Sequence, residues 1–322
     1  MKSGIRAVAL FAALFECAAI GAQGTGDVAH SGTFTVSGLR CVIGDNAAAE
    51  PHRAGYNGVF AITAPNREES PFVPQYAGLN LEHYFDARPR PPEAEIFFEP
   101  RHAAMTFTRI SETVAELHQP RTPHFGVESW TRFELKEPYY VDLHFRCVPR
   151  EDVFEGGFLG VFWASYINAP LDKSMYLRGA CQEGGKTVWV QHCTPQHDRD
   201  STVRRVDDAL ELPFAEPGST LYASFSPLRY AEPFFYGRVG DSVLVYIFQP
   251  GPVIRFAHSP SGGGATPDGS DTNPAWDFQL IVPQPEIGHE YEMRMRLVFK
   301  PWAGRGDVLA EVGRYLEESR QP

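Results

Sequence analysis

The chain has 322 residues and carries 29 Lys and Arg against 40 Asp and Glu, a formal net charge of −11 at pH 7. That acidic balance excludes bulk electrostatic attraction to nucleic acid or to an anionic membrane, so neither is expected as a partner. Its 29 Gly and 27 Pro are scattered and 13% of residues are aromatic, which suits a large folded core with many turns better than disorder.

Residues 1–22 read as a secretory leader. Lys2 and Arg6 form the basic start, and Ala7–Ala19, interrupted by Glu16, is apolar but short for a bilayer span. The small residues Ala19, Gly21 and Ala22 place cleavage near Ala22 or Gln23. Glu16 stands where a lipidated Cys17 would need a small residue. The expectation is therefore a secreted or periplasmic protein, residues 23–322, with no membrane partner after cleavage. Retention of the segment as an anchor is the alternative.

Export leaves Cys41, Cys147, Cys181 and Cys193. An even number in an oxidising compartment points to disulfides. The expected bridges are Cys181–Cys193, closing a loop across two strands, and Cys41–Cys147 by elimination. Buried free thiols are the alternative, strongest for Cys147 on an apolar strand face.

Along the chain, 33–43 and 56–62 alternate as strands. Residues 64–100 hold seven prolines in 37 residues and many aromatics. A segment of that kind inside a compact domain is expected to pack over one end of a sheet and to present Glu82, His83 or Asp86. Residues 96–99, 103–109 and 112–118 read as further strands.

They lead into the clearest local pattern, residues 124–147. Phe125, Val127, Ser129, Thr131, Phe133 and Leu135 share one face, as do Tyr139, Val141, Leu143, Phe145 and Cys147 across a Lys136-Glu137-Pro138 link. The spacing predicts an antiparallel hairpin with Leu135 opposite Tyr139. The polar face then pairs Arg132 with Asp142, Trp130 with His144 and Glu128 with Arg146. A Trp and a His in the middle of a charged strand face suggest a ligand surface, although a solvated face is the plain alternative.

Residues 156–168 form an almost unbroken apolar run, the mark of a central strand covered on both faces. Residues 175–178, 188–191, 221–226, 242–248, 253–258, 276–282 and 290–300 continue the β pattern. Residues 307–319 are the one convincing helix, with Val308, Leu309, Val312, Tyr315 and Leu316 on one side. The chain is thus expected to be all-β: a large antiparallel β-sandwich, either a supersandwich or double jelly-roll-like, with one C-terminal helix.

The segments TPHFGVESW, FWASYINAP, RFAHSPSGGG and NPAWDFQ resemble those of uncharacterised secreted bacterial β-sandwich proteins. The architecture is similar to the galactose-mutarotase-like supersandwich. The resemblance implies a carbohydrate ligand, and no mutarotase catalytic motif maps onto the chain residue by residue.

Among chemical constellations, His192, Cys193, His197, Asp198 and Asp200 offer metal-ligand types without the paired spacing of a metal motif, so no metal is expected. No nucleophile elbow is present, and SPSGGG lacks the Lys and helix of a phosphate loop. No cofactor is indicated. Sugar chemistry needs stacking aromatics with acids or bases at fixed separations. The catalytic candidates are His144, Glu128, His124 and Asp277. The substrate-binding candidates are Trp130, Arg146, Trp163, Arg238, Arg255, His258 and Trp276, with Asp172 as a further acid. The favoured picture has Trp130 stacking on a sugar, His144 as acid or base, and residues 79–86 and 261–264 covering the cleft; Trp276–Asp277 is the next candidate. These residues fit an exported carbohydrate-active enzyme, with lyase, epimerase and hydrolase chemistry all open. A non-catalytic carbohydrate-binding protein and a structural surface protein are the alternatives.

Overall fold

The computed structural model describes residues 29–180 and 186–320, besides Met1. The expected leader and Cys181 lie outside the described residues. The first strands are β1 (Ser31–Val36), β2 (Leu39–Gly44), β3 (Gly58–Thr63) and β4 (Asn80–Phe85), followed by short helical turns α1 (Ala94–Phe97) and α2 (Glu99–His102). Next come β5 (Thr106–Arg109), β6 (Val114–Gln119), β7 (Val127–Lys136), β8 (Tyr140–Pro149) and β9 (Phe158–Ala164). Then follow β10 (Met175–Ala180), β11 (Thr187–His192), β12 (Thr202–Arg205), β13 (Phe225–Val239) and β14 (Ser242–Phe248). The chain ends with β15 (Val253–Ser259), β16 (Ala275–Pro283), β17 (Tyr291–Pro301) and helix α3 (Arg305–Glu318).

β1, β2 and β3 form a small sheet. The rest form one 14-stranded sheet in the order β4-β9-β16-β15-β12-β13-β14-β17-β8-β7-β6-β5, with β10 and β11 attached through β13. The two ends of the long sheet fold face to face. Phe145 of β8 meets Trp163 of β9 edge-on at 4.7 Å, and Phe248 of β14 meets Phe278 of β16 at 5.0 Å. Tyr84 of β4 donates to Ser129 Oγ of β7 at 2.9 Å. The expected all-β sandwich is what forms.

The apolar run at 156–168 behaves as predicted. Every residue of β9 is buried, with Leu159, Val161 and Trp163 in the shared core and Phe158, Phe162 and Ala164 in a second cluster on the other face. Helix α3 covers β14 and β17 with Val308, Val312 and Tyr315. It is also held by Glu311, which is buried and accepts from Tyr139 and Tyr140 at 2.8 Å each and from Lys300 Nζ at 2.7 Å.

Several expectations are corrected. Residues 33–43 are a hairpin rather than one strand, because Ser37-Gly38 turns the chain. Residues 96–99 are helical, with Pro100 in the first turn of α2 where its missing N–H costs nothing. The 79–86 stretch is a strand, and 221–226 opens with a short helical turn before the long β13. Cys41 and Cys147 are buried free thiols, not a bridge. Burial pushes the Cys147 thiol up to about 12, so it stays protonated and inert. Cys193 is exposed, and its expected partner lies outside the described residues.

The hairpin forms with its faces as predicted but slides by two residues. Leu135 opposes Val141, Trp130 opposes Arg146, Arg132 opposes His144, and Glu128 opposes Val148. A shift of two preserves every inward side chain, so apolar patterning cannot choose between the two registers. Exposed ion pairs are worth at most about 1 kcal/mol, against roughly 1.5–3 kcal/mol for each large side chain buried, and cannot choose either. Contacts beyond the hairpin decide. Asp142, expected opposite Arg132, accepts instead from Arg296 of β17 at 2.6 and 2.9 Å, and Tyr139 in the turn is bonded to Glu311.

Candidate functional site

On the face of β4, β9 and β16 turned away from the shared core lies a cavity of about 390 Å³. At its base is Asp277 of β16. Its register partner on β15 is Ala257, and the mutual bonds of Ser165 and Trp276 place Ala164 on its other side. Two alanines bring no polar side chain to the carboxyl from either neighbouring strand. Asp277 is fully buried, and neither of its oxygens has a hydrogen-bond partner among the described residues. Burial, reinforced by the negative charge of Glu82, holds this carboxyl well above the usual range, so it keeps its proton where an ordinary Asp has lost it.

Glu82 and His83 form the facing wall. Consecutive residues of a regular strand point to opposite faces, yet both line this cavity. The pairing of β4 with β9 shifts between Leu81 and His83, and this bulge turns both side chains to one side. Since β9 separates β4 from β16, the two backbones stand about 9–10 Å apart.

Glu82 Oε1 accepts from Arg101 Nη1 at 3.2 Å and from the Tyr166 hydroxyl. His83 Nδ1 lies 2.6 Å from the Phe97 carbonyl, so it carries the ring proton and donates it there. Burial pushes the imidazole below its ordinary value, outweighing the opposite pull of Glu82, and the neutral ring keeps its lone pair on Nε2. That nitrogen is 3.6 Å from Glu82 Oε2, too far for a hydrogen bond. Two acceptors thus stand side by side with no proton between them, opposite a protonated carboxyl.

Aromatic rings shape the rest. Tyr56 stacks on Tyr76 at 4.6 Å, and Arg101 lies 3.9 Å over Tyr56 and 4.6 Å over Phe98. Arg90, Tyr222, Ser261, Gly262, His197 and Asp198 complete the lining, and Arg90 and His197, its exposed members, mark the mouth. Asp198 adopts a left-handed backbone with φ 60°, a conformation Asp tolerates, and burial raises its carboxyl. No group of three or more metal-ligating side chains occurs among the described residues.

Of the catalytic and substrate-binding candidates named from sequence, Asp277 lines this cavity; Glu82, His83 and Ser261–Gly262 join it from the two segments expected to cover a cleft, and His197 and Asp198 from the stretch weighed for a metal. The hairpin face lies elsewhere and its groups are engaged with one another. Trp130 is sandwiched between His118, stacked at 5.1 Å, and Arg146 at 5.3 Å. Glu128 accepts from His118 at 3.0 Å and from Arg150 Nε at 2.8 Å, while His144 pairs with Glu292 at 2.6 Å and Arg146 with Glu290 at 3.3 Å. His124 lines a separate small cavity near Arg88.

The other candidates are structural in their contacts. Trp163 and Trp276 are fully buried in the shared core, and Trp276 Nε1 donates to the Lys173 carbonyl at 2.8 Å. Arg255 is fully buried on Asp208 at 2.8 Å and the Leu210 carbonyl at 2.8 Å. His258 has both nitrogens occupied: Nε2 donates to the Lys173 carbonyl at 2.9 Å, and Nδ1 accepts from Thr194 Oγ1 at 2.8 Å. Burial lowers that imidazole to about 4, so it is neutral. Arg238 lies over Trp302 at 5.0 Å, and Asp172 accepts from Tyr176 at 2.7 Å. Sequence reasoning missed Tyr56, Tyr166, Arg90 and Arg101 as lining residues. The proline- and aromatic-rich character of 64–100 was the available signal for Arg90.

No protein-family model matches the sequence, and no curated protein matches it either. Solved structures resemble it in overall architecture. The Slr1438 protein from Synechocystis sp. PCC 6803 is 8% identical with a TM-score of 0.48, covering 84% of this chain and 96% of its own. The GalM/aldose epimerase homologue from C. elegans is 10% identical with a TM-score of 0.44, covering 84% and 99%. Heparan sulfate lyase HepC from Pedobacter heparinus is 10% identical with a TM-score of 0.41, and its match covers 83% of this chain but 34% of the lyase. Likenesses of this order carry no residue role from those proteins onto this one.

Proposed function

We propose that the cavity binds a sugar and moves a proton on it. The observation that carries this reading is the Asp277 carboxyl, buried without a partner and opposite the Glu82–His83 pair. A buried polar group left unpaired costs about 1–3 kcal/mol, a cost that a ligand hydroxyl would relieve. Volume and walls suit a monosaccharide: tyrosine rings for its faces, and Arg101 and the carboxyls for its hydroxyls.

In this mechanism Asp277 donates its proton to a ring or glycosidic oxygen. Glu82 and His83 Nε2 accept a proton from a hydroxyl or an acidic C–H on the opposite side of the sugar. Tyr166 and Arg101 orient Glu82, and the Phe97 carbonyl fixes the His83 tautomer. Such paired transfer serves epimerisation at the anomeric carbon most directly, because it needs no further nucleophile. The seclusion of the Asp277 oxygens favours a second reading, non-catalytic binding, in which the carboxyl only anchors a hydroxyl.

Asp277→Asn and His83→Gln separate the two. Each is expected to bind the sugar within a few-fold of the parent while turnover, followed as anomer exchange by NMR over a sugar panel, falls roughly 100- to 10,000-fold. Parent-like turnover in both variants would refute the catalytic reading. The order of basic, apolar and small residues in 1–22 supports action outside the cytoplasm. Exported protein is then expected to begin near Gln23, and N-terminal sequencing that still finds Met1 would overturn it.

A further inference from the structure

We propose that the ligand of this cavity is a sugar bearing an oxyanion, and that Arg90 at the mouth reads that group; this rests on the sugar-site reading above. Arg90 lines the cavity and is exposed. Among the described residues its guanidinium makes no hydrogen bond or ion pair, and its contact is the face of Phe97, 4.2 Å away. The other charged side chains of the lining are engaged. Arg101 is committed to Glu82 and, at 2.6 Å, to the Gly55 carbonyl. His197 bonds Ser259 at 2.7 Å, and Asp198 faces His197 at 3.5 Å. Arg90 is thus the lining cation whose five N–H donors are unspent.

Two features present it. Pro89, Pro91 and Pro92 bracket the residue and restrict the backbone on both sides, which lowers the entropy lost on binding. Stacking on Phe97 holds the plane of the guanidinium, and Phe97 is itself packed on His83 at 4.4 Å and bonded to it through its carbonyl. The charge of Arg90 also reaches His83, Asp198 and Tyr222: it adds to the burial that lowers His83 and opposes the burial that raises Asp198 and Tyr222. A neutral hydroxyl would use one N–H, whereas a carboxylate, sulfate or phosphate oxyanion uses two in parallel. The chain as a whole, at −11, repels anions at long range. An acidic sugar would therefore need a local cation of this kind.

The test is calorimetric titration of the full chain with gluco- and galacto-configured hexoses, uronates, 6-phosphates and 6-sulfates. At least one acidic sugar is expected to bind roughly 10- to 100-fold more tightly than its neutral hexose. Arg90→Gln should abolish that preference while leaving the neutral hexose within about twofold, and Arg90→Lys should restore part of it. The acid that binds tightly identifies the oxyanion. Neutral and acidic sugars binding alike, or a preference that survives in Arg90→Gln, would overturn this inference and leave the sugar site standing. Failure of every sugar to bind would overturn both.

Discussion

Replacing Asp277 by Asn tests the electrostatic reasoning behind the site without any ligand. Unfolded, this carboxyl titrates near 3.8; folded, burial and Glu82 hold it well above that. Between those two values the folded chain keeps a proton that the unfolded chain has released. The associated stability is therefore full below 3.8 and is lost as pH rises, levelling off once the folded value is passed. The slope for one proton is about 1.4 kcal/mol per pH unit. Asn does not titrate. Relative to the parent, Asp277→Asn should gain about 1.4 kcal/mol for each pH unit between the unfolded and the folded value, and nothing further above the latter. The new amide Nδ2 lacks a partner and adds a penalty of about 1–3 kcal/mol, but that offset does not vary with pH. The assay is urea unfolding of both proteins at pH 4.5, 5.5 and 6.5, comparing the difference between them. A difference constant to within about 0.5 kcal/mol across the series would refute the claim that Asp277 is held protonated. A sloping difference with parent-like turnover would keep the buried acid and remove its catalytic role.

Trp130→Ala should cost about 1 kcal/mol or less, through lost stacking on His118 and Arg146, and leave sugar binding unchanged; loss of binding in titration calorimetry would return the site to the hairpin face. Glu311→Ala should destabilise the protein by about 1–3 kcal/mol in urea unfolding, because it removes the acceptor shared by Tyr139, Tyr140 and Lys300 under α3 and leaves Lys300 paired with Asp307 alone. A loss below about 1 kcal/mol would mean that water replaces the carboxylate there.

The limits of local pattern show at particular residues. Alternation over 125–147 was enough to assign each hairpin side chain to its face, and the register still came out two residues away. The preference for Trp130 and His144 followed from composition of that face, but their partners, His118, Arg146 and Glu292, arrive from β6, β8 and β17 and satisfy them. Arg255 and His258 were candidates by residue type alone, as a cation and an imidazole on one strand, and both are buried on structural partners. Asp208, Thr194 and Lys173, each at least 47 residues away, explain both. Glu82 and His83 were named as residues that 64–100 would present, yet their joint action depends on a bulge that no alternation of residue types announces.

The sequence by itself determined what depends on near neighbours: an acidic all-β chain, inward and outward strand faces, a central strand buried on both sides, and the amphipathic α3. Side-chain burial repeats every two or every 3.6 residues, so those features can be read from short windows. Tertiary structure decided what depends on distant partners. It set the hairpin register through Asp142–Arg296 and left Cys41 and Cys147 as separate thiols. It also brought Asp277 of β16 into one cavity with Glu82 and His83 of β4, with the small Ala164 of β9 between them. That last meeting joins positions nearly 200 residues apart in the chain. Its chemistry arises from shared burial, which raises the pKa of one acid and keeps one histidine neutral only once the sheet has closed around them.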